Sequence, residues 1–242
     1  MSMSSASSRF PGRSWWAGFA LLGLAACQTS PPPAPPAPVT PAPAEQLAIP
    51  AGAQEYKVVA EESLLQILVY RGGAMARLGH NHVIASHTLE GEVHLTDDAT
   101  ATRFEIRVPV DQLTVDEPAM REQAGADFPP GVPQSARDGT HKNLLSAALL
   151  DGANYPRIRL RATDVRLGAD GGFDVGVEIT LKDQPYQVRV PVRIERKEGA
   201  LMARGEFGLK QSELGLKPFS VAMGTLIVLD DMKIRFEISA RQ

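Results

Sequence analysis

From Arg103 to Val110 the chain alternates: Phe104, Ile106, Val108 and Val110 fall on one side, Arg103, Glu105 and Arg107 on the other. The same period of two returns in Arg157 to Asp164, where Ile158, Leu160 and Ala162 oppose three arginines. Asp170-Gly171-Gly172 reads as a turn, and Phe173, Val175, Val177, Ile179 and Leu181 follow at alternate positions. After Lys182-Asp183-Gln184-Pro185 come Val188, Val190, Val192 and Ile194, and the pattern closes with Ile234, Phe236 and Ile238. A strongly apolar strand, Ser63 to Tyr70, opens the series. Each of these strands buries one face and wets the other, as antiparallel sheets do. Eight or so in succession predict an all-β domain, either a sandwich or an up-and-down barrel, and periodicity alone does not choose between them.

One stretch breaks the alternation. Between Val115 and Tyr155, Pro118 is placed to open a short helix to Gln123, followed by a loop through Pro129, Pro130 and Pro133. Thr140 then reads as the cap of a second helix carrying Leu144, Leu145, Ala148 and Leu149, ending near Gly152. So long a connection inside an all-β domain usually covers something, and it is predicted to be a helical lid or plug at one end.

The N-terminal quarter has another character. Residues 1–26 carry Arg9 and Arg13 and then an apolar run, Trp15 to Ala26, too short to span a bilayer comfortably. The run ends in Leu24-Ala25-Ala26-Cys27, which resembles a bacterial lipobox whose cysteine is lipidated and becomes the new N-terminus. Cys27 is the chain's single cysteine, so a mature lipoprotein has no disulfide and depends on burial for stability. Gln28 in the following position fits the periplasmic face of the outer membrane better than the inner membrane. Residues 27–54 read as a linker: eight of the 19 prolines lie between Pro31 and Pro43, interleaved with alanine. Such a stretch favours polyproline II and would reach roughly 75 Å at about 3.1 Å per residue. The folded domain is expected over residues 55–242. Loss of the two leader arginines takes the formal charge from −3 to −5 (−3 − 2), which argues against a nucleic-acid partner. The lipid is then the only membrane attachment the sequence calls for, and nothing in it specifies an oligomeric state.

The densest chemistry is Gly79-His80-Asn81-His82. Residues two apart on an extended strand point the same way, so both imidazoles could meet one ligand. As a metal site, the alternative for His80 and His82, the pair is incomplete, because zinc takes about three or four protein ligands. His87 has the wrong parity on a continuing strand, and His94 would stand roughly 40 Å along it at about 3.3 Å per residue. A third ligand would have to be His141 or a carboxylate. A structural role ranks first, with Asn81 in a left-handed turn and the imidazoles satisfying backbone groups at a barrel mouth. Contact with a ligand headgroup ranks second.

Enzyme signatures are missing. Gly205-Glu206-Phe207-Gly208 is not a phosphate loop, there is no G-x-S-x-G elbow, and no cysteine is left as a nucleophile. Asp230-Asp231 reads as a solvated turn, and Arg157, Arg159, Arg161, Arg189 and Arg193 as ordinary solvated surface beside Glu178 and Glu195. No reaction is predicted, no cofactor is required, and the chain is read as a non-enzyme.

Gly79-His80-Asn81-His82, then Thr140-His141-Lys142-Asn143-Leu144-Leu145 leading to Tyr155-Pro156-Arg157-Ile158, then Glu213-Leu214-Gly215-Leu216-Lys217-Pro218-Phe219-Ser220, fall in an order that resembles YceI-like proteins. The resemblance is to the subset with a GHNH or GHDH motif and covers roughly Tyr56 to the C-terminus. It implies an extended antiparallel eight-stranded lipocalin-like barrel with a helical insertion, binding a polyisoprenoid, quinone or fatty amide inside. This sequence departs from the family in lacking a glycine in the Leu181–Pro185 hairpin and in carrying a lipid anchor. Alternation does not distinguish a hollow interior from a packed one; the resemblance implies a hollow one. The inward, ligand-binding candidates are then Phe104, Ile106, Val108, Ile158, Leu160, Val175, Val177, Val188 and Val190, with His80, Asn81 and His82 at the rim. The expectation is a lipid-anchored carrier or sequestering protein facing the periplasm. Two other classes remain open: a metal- or haem-associated respiratory accessory using His80 and His82, and a solid-core interaction protein of the cell envelope.

Overall fold

The computed structural model describes residues 47–168 and 170–242. The leader, Cys27 and most of the linker predicted above lie outside the described residues.

The sequence from Gln54 onward forms a ring of antiparallel strands. In chain order these are β1 (Gln54–Val58), β2 (Leu64–Gly72), β3 (His82–Ser86), β4 (Glu90–Leu95), β5 (Arg103–Pro109) and β6 (Thr114–Val115). After the helical insertion come β7 (Arg157–Leu167), β8 (Phe173–Leu181), β9 (Gln184–Lys197), β10 (Ala200–Lys210), β11 (Ser220–Val221) and β12 (Leu226–Arg241). The ring runs β1-β4-β5-β7-β8-β9-β10-β12, and β1 closes it on β12 through Lys57↔Arg241 and Val58↔Ala240. β2 continues along the same edge of β12, pairing from Leu64↔Glu237 to Gly72↔Ile227. β3 pairs with β2 and β6 with β3, so β1/β2, β4/β3 and β5/β6 act as three long, interrupted strands. The choice between sandwich and barrel is thereby settled: this is a closed, eight-stranded antiparallel barrel with a lipocalin-like architecture. Closure leaves β12 with a partner on each side, so the C-terminal strand presents no free edge.

Alternation along the strands sets which side chains fill the barrel, and two interruptions reset it. In β3 Ile84 faces in, whereas in β4 Val93 does, so the break at His87–Leu89 shifts the phase by one residue. In β7 the register shifts between Ala162 and Asp164, and the inward set passes from Ile158, Leu160 and Ala162 to Val165. A parity count carried along an unbroken strand, such as the one placing His94 far down the strand from His82, fails at such bulges.

The insertion differs from its predicted form. α1 (Pro118–Ala124) starts at the expected proline. It clads the outside of the wall: Met120 and Phe128 pack on Leu68, Val83 and Ala85, the outward residues of β2 and β3. It is not a lid. α2 spans Gln134–Leu144, so Thr140 lies within the helix and is not its cap, and the predicted extension to Gly152 is a series of turns. The helix starts early because Pro133 ends the preceding loop and Gln134 bonds forward to Asp138 and accepts from Arg137. Beyond it the chain folds back, with Leu150 N donating to Leu144 O at 3.1 Å and Gly152 N to Leu145 O at 3.1 Å. Those turns push Leu149 and Leu150, with Leu144, into the barrel end. The second half of the insertion is the plug that the sequence predicts. At the far end Tyr56, Val93, Leu95, Leu201 and Ala240 form a separate cluster, with Arg196 stacked over the Tyr56 ring at 5.8 Å.

Candidate functional site: an apolar cavity along the barrel

The inward residues of the ring do not fill the space they enclose. A cavity of about 250 Å³ runs along the barrel. Phe104, Ile106 and Val108 of β5, Ile158 and Leu160 of β7, Val175 and Val177 of β8 and Val190 of β9 all line it, as alternation predicts. Val188 does not line it; it packs, half-buried, against the same core. Further lining residues come from β2, β10 and β12 and from the plug leucines, chiefly Ile67, Phe207, Ile234 and Phe236. Their signal was the same alternation, which in β2 and β10 is masked by apolar or small residues on the outer face as well. The only polar side chains in the lining are Thr102 and Gln211, and Gln211 spends its amide on Leu229 O at 2.7 Å. The Thr102 hydroxyl is left without a protein partner; apart from it, so dry a wall offers a guest little to bond and no charge, and favours apolar matter over water.

The histidine motif sits beside the plug, and none of His80, Asn81 and His82 lines the cavity. β3 begins only at His82, so the two histidines do not share a strand, although their rings stand 6.1 Å apart. Asn81 is not left-handed, contrary to expectation; that conformation belongs to Asp116, with φ 55°. Instead Asn81 pins the turn, accepting from Arg71 N at 3.0 Å and donating to Asp127 O at 2.8 Å.

His82 belongs to a buried network that the sequence does not reveal. Its Nδ1 lies 2.6 Å from Asp116 Oδ2, and with the proton there its Nε2 accepts from the Thr140 hydroxyl of α2 at 3.3 Å. Asp116 Oδ1 accepts from Val83 N at 2.9 Å and from Arg121 of α1 at 2.5 Å. Arg121 completes its fork on Pro129 O and Asn81 O. Burial works to raise the Asp116 pKa, but the bonds from His82, Val83 and Arg121 outweigh it and hold the carboxyl below its ordinary value. Burial, with the neighbouring His82 and Arg121, holds the His80 pKa below its ordinary value. The network ties β3 to both helices, so the motif does hold structure together, but His82 does so through the side chains of Asp116 and Thr140 and not, as expected, through backbone groups. Both ring nitrogens of His82 are engaged, and among the described residues no three His, Cys, Asp or Glu side chains gather as metal ligands.

The outer wall holds one further departure. Arg161 is not solvated surface: only 12% exposed, it reaches the buried Glu105 at 2.7 Å, and Arg107 bonds the same carboxylate. Asp230 and Asp231, expected in a solvated turn before the last strand, lie instead within β12, at its bulge between Val228 and Met232, where Asp230 accepts from Ser212 N at 2.8 Å and from its hydroxyl at 2.6 Å.

The barrel has counterparts. It superposes on the crystal structure of Burkholderia cenocepacia BcnA with a TM-score of 0.55 at 13% identity, over 75% of this chain and 98% of that one. The Campylobacter jejuni YCEI protein gives a TM-score of 0.44 at 10% identity, over 64% of this chain and 81% of that one. No curated protein matches the sequence. At these identities the likeness is one of fold. The sequence of residues 56–240, which is the barrel together with its plug, matches the YceI-like domain, and the chain belongs to that family.

Proposed function

We propose that this protein binds a long apolar molecule of the polyisoprenoid, quinone or fatty amide type inside the barrel, as a lipid-anchored carrier or sequestering protein of the cell envelope. The observation that carries the reading is the cavity: about 250 Å³, walled by aliphatic and aromatic side chains with two polar exceptions. Membership of a family of ligand-binding barrels supports it. Each Å² of guest surface taken from water contributes roughly 25 cal/mol, offset by the ordering of guest and side chains. An elongated apolar chain fits a narrow, dry tube better than a compact polar solute does. The lipobox-like Leu24–Cys27 and the proline-rich linker support attachment at the periplasmic face of the outer membrane.

The test is native mass spectrometry of the full chain, purified from bacterial envelopes in mild detergent, followed by solvent extraction of the bound fraction. A near-stoichiometric apolar adduct is expected and names its class. No adduct, and none after incubation with quinones and polyprenols, would leave a barrel that binds partners by its outside. For the anchor, Cys27→Ser is expected to shift the protein from the detergent phase to the aqueous phase; unchanged partitioning refutes lipidation.

A further inference from the structure

The barrel wall carries a slit. β9 and β10 pair from Ala200↔Lys197 to Arg204↔Arg193, and there the ladder stops. Both strands run on. β9 stays paired with β8 from Phe173↔Val192 to Leu181↔Gln184, and β10 stays paired with β12 as far as Lys210↔Asp231. From Val192 and Gly205 to the plugged end, two neighbouring strands therefore lie side by side without pairing.

The sequence supplies the cause. Alternate residues of a strand turn their N–H and C=O to the same neighbour. Arg193 faces β10, so Pro191, Arg189 and Gln187, opposite Glu206, Gly208 and Lys210, are the next positions due to pair with it. The first of those is a proline with no N–H to give. The Pro191 carbonyl does point across: a Cβ on Gly205 would overlap it, and would overlap the Phe236 ring as well.

Little separates outside from inside at this place. A depression on the outer surface, lined by Arg189, Pro191, Gly205 and Glu206, shares Val192 and Phe236 with the wall of the inner cavity. Val190, Phe207 and Leu209 flank the slit from within. Near the plug the Tyr186 hydroxyl of β9 crosses to Gly215, where a side chain would overlap it. The two ends of the barrel offer no comparable route. One is filled by the Tyr56 cluster, and opening the other would break the bond of Thr140 to His82 and that of Arg137 to Asp116 O.

We infer that an extended apolar chain enters and leaves the barrel sideways, through the slit between β9 and β10, while the α2 plug stays in place. Phe236 and Tyr186 are the side chains that move. Rotation of such rings is fast and breaks no ladder, unlike displacement of the plug. The inference rests on the cavity being a ligand site.

The probe is cis-parinaric acid, loaded into the full chain; its transfer to phosphatidylethanolamine–phosphatidylglycerol vesicles is followed by loss of fluorescence. Pro191→Val restores the donor that faces Glu206 and lets the strands pair. Its amides at Glu206 and Gly208 are expected to gain exchange protection. Probe capacity stays the same while transfer slows by about tenfold or more, the effect of added hydrogen bonds that must open first. Should that variant not fold, Gln187→Cys with Gly208→Cys, both outward-facing, is made in a Cys27→Ser background. It is bridged by a short bismaleimide and compared with the same protein capped by a monofunctional maleimide. Slower transfer from the bridged protein supports the slit. Equal transfer from bridged and capped protein overturns it and leaves the ligand reading standing. Failure of the unmodified chain to take up the probe overturns the ligand reading and the slit together.

Discussion

Asp116→Asn isolates the charge at the centre of the buried network. The carboxylate is fully buried and the Arg121 side chain 4% exposed, so solvent does not screen the pair. Asparagine tolerates the φ of 55° at this position and keeps an oxygen for Val83 N, so backbone strain and the strand bond are left alone. What is lost is the negative charge opposite a buried guanidinium. Breaking such a pair from one side costs about 3–5 kcal/mol, because the remaining charge is stranded. The expected loss is therefore about 3 kcal/mol or more in urea unfolding of the full chain at pH 7, with the slope unchanged. Adding Arg121→Met removes the stranded charge and should restore at least about 1 kcal/mol. The pH dependence follows from the direction of the Asp116 shift. Its folded pKa lies below the unfolded one, so the carboxylate's contribution is complete above the unfolded value of about 3.9 and fades as pH falls through the folded value. The gap between wild type and variant should stay constant from pH 8 to about pH 5 and close only in acid. A loss under about 1 kcal/mol, or a gap unchanged down to pH 2, would refute the argument that this charge pair holds the buried network together.

Three other changes probe the rest of the barrel. Val177→Trp places a large ring in the cavity; in a hollow barrel it should abolish extraction of bound lipid while costing less than the about 1–3 kcal/mol of an overpacked core, read by extraction and thermal melting together. Gly205→Ala puts a methyl group against Pro191 O and Phe236 and should destabilise the domain by about 1–3 kcal/mol in denaturant titration. Lys182 and Asp183 form the β8–β9 turn with φ of 50° and 58°, the mirror-image geometry that asparagine and glycine adopt at lower cost. Lys182→Asn with Asp183→Gly should therefore stabilise the chain by about 1 kcal/mol, seen as a raised melting temperature, which also gives the hairpin the glycine it lacks.

The sequence alone determined the strands and most of the guest-facing wall. Side-chain direction in a strand is a local property, and one period of two places Phe104, Ile106, Val108, Ile158, Leu160, Val175, Val177 and Val190 on one face whatever the sheet does next. Of the apolar residues the sequence named in the insertion, Leu144, Leu145, Ala148 and Leu149, two line the cavity, Leu144 and Leu149, although the helix that was to carry them ends at Leu144. Tertiary structure decided everything that depends on two distant segments meeting. Closure of the ring needs Val58 against Ala240, which no local pattern encodes. The reversal of inward parity within β7 is a bulge whose position follows from its register on β8. Asp116, Arg121 and Thr140 read as ordinary loop and helix residues until folding buries them around His82, and α2 starts and stops where its neighbours permit. The slit joins the two levels. Pro191 is visible in the sequence, but only the register of β9 against β10 shows that it withholds its donor from Glu206, just where the ladder stops. Local covalent chemistry dictates what each segment can offer, and long-range pairing dictates to whom it is offered.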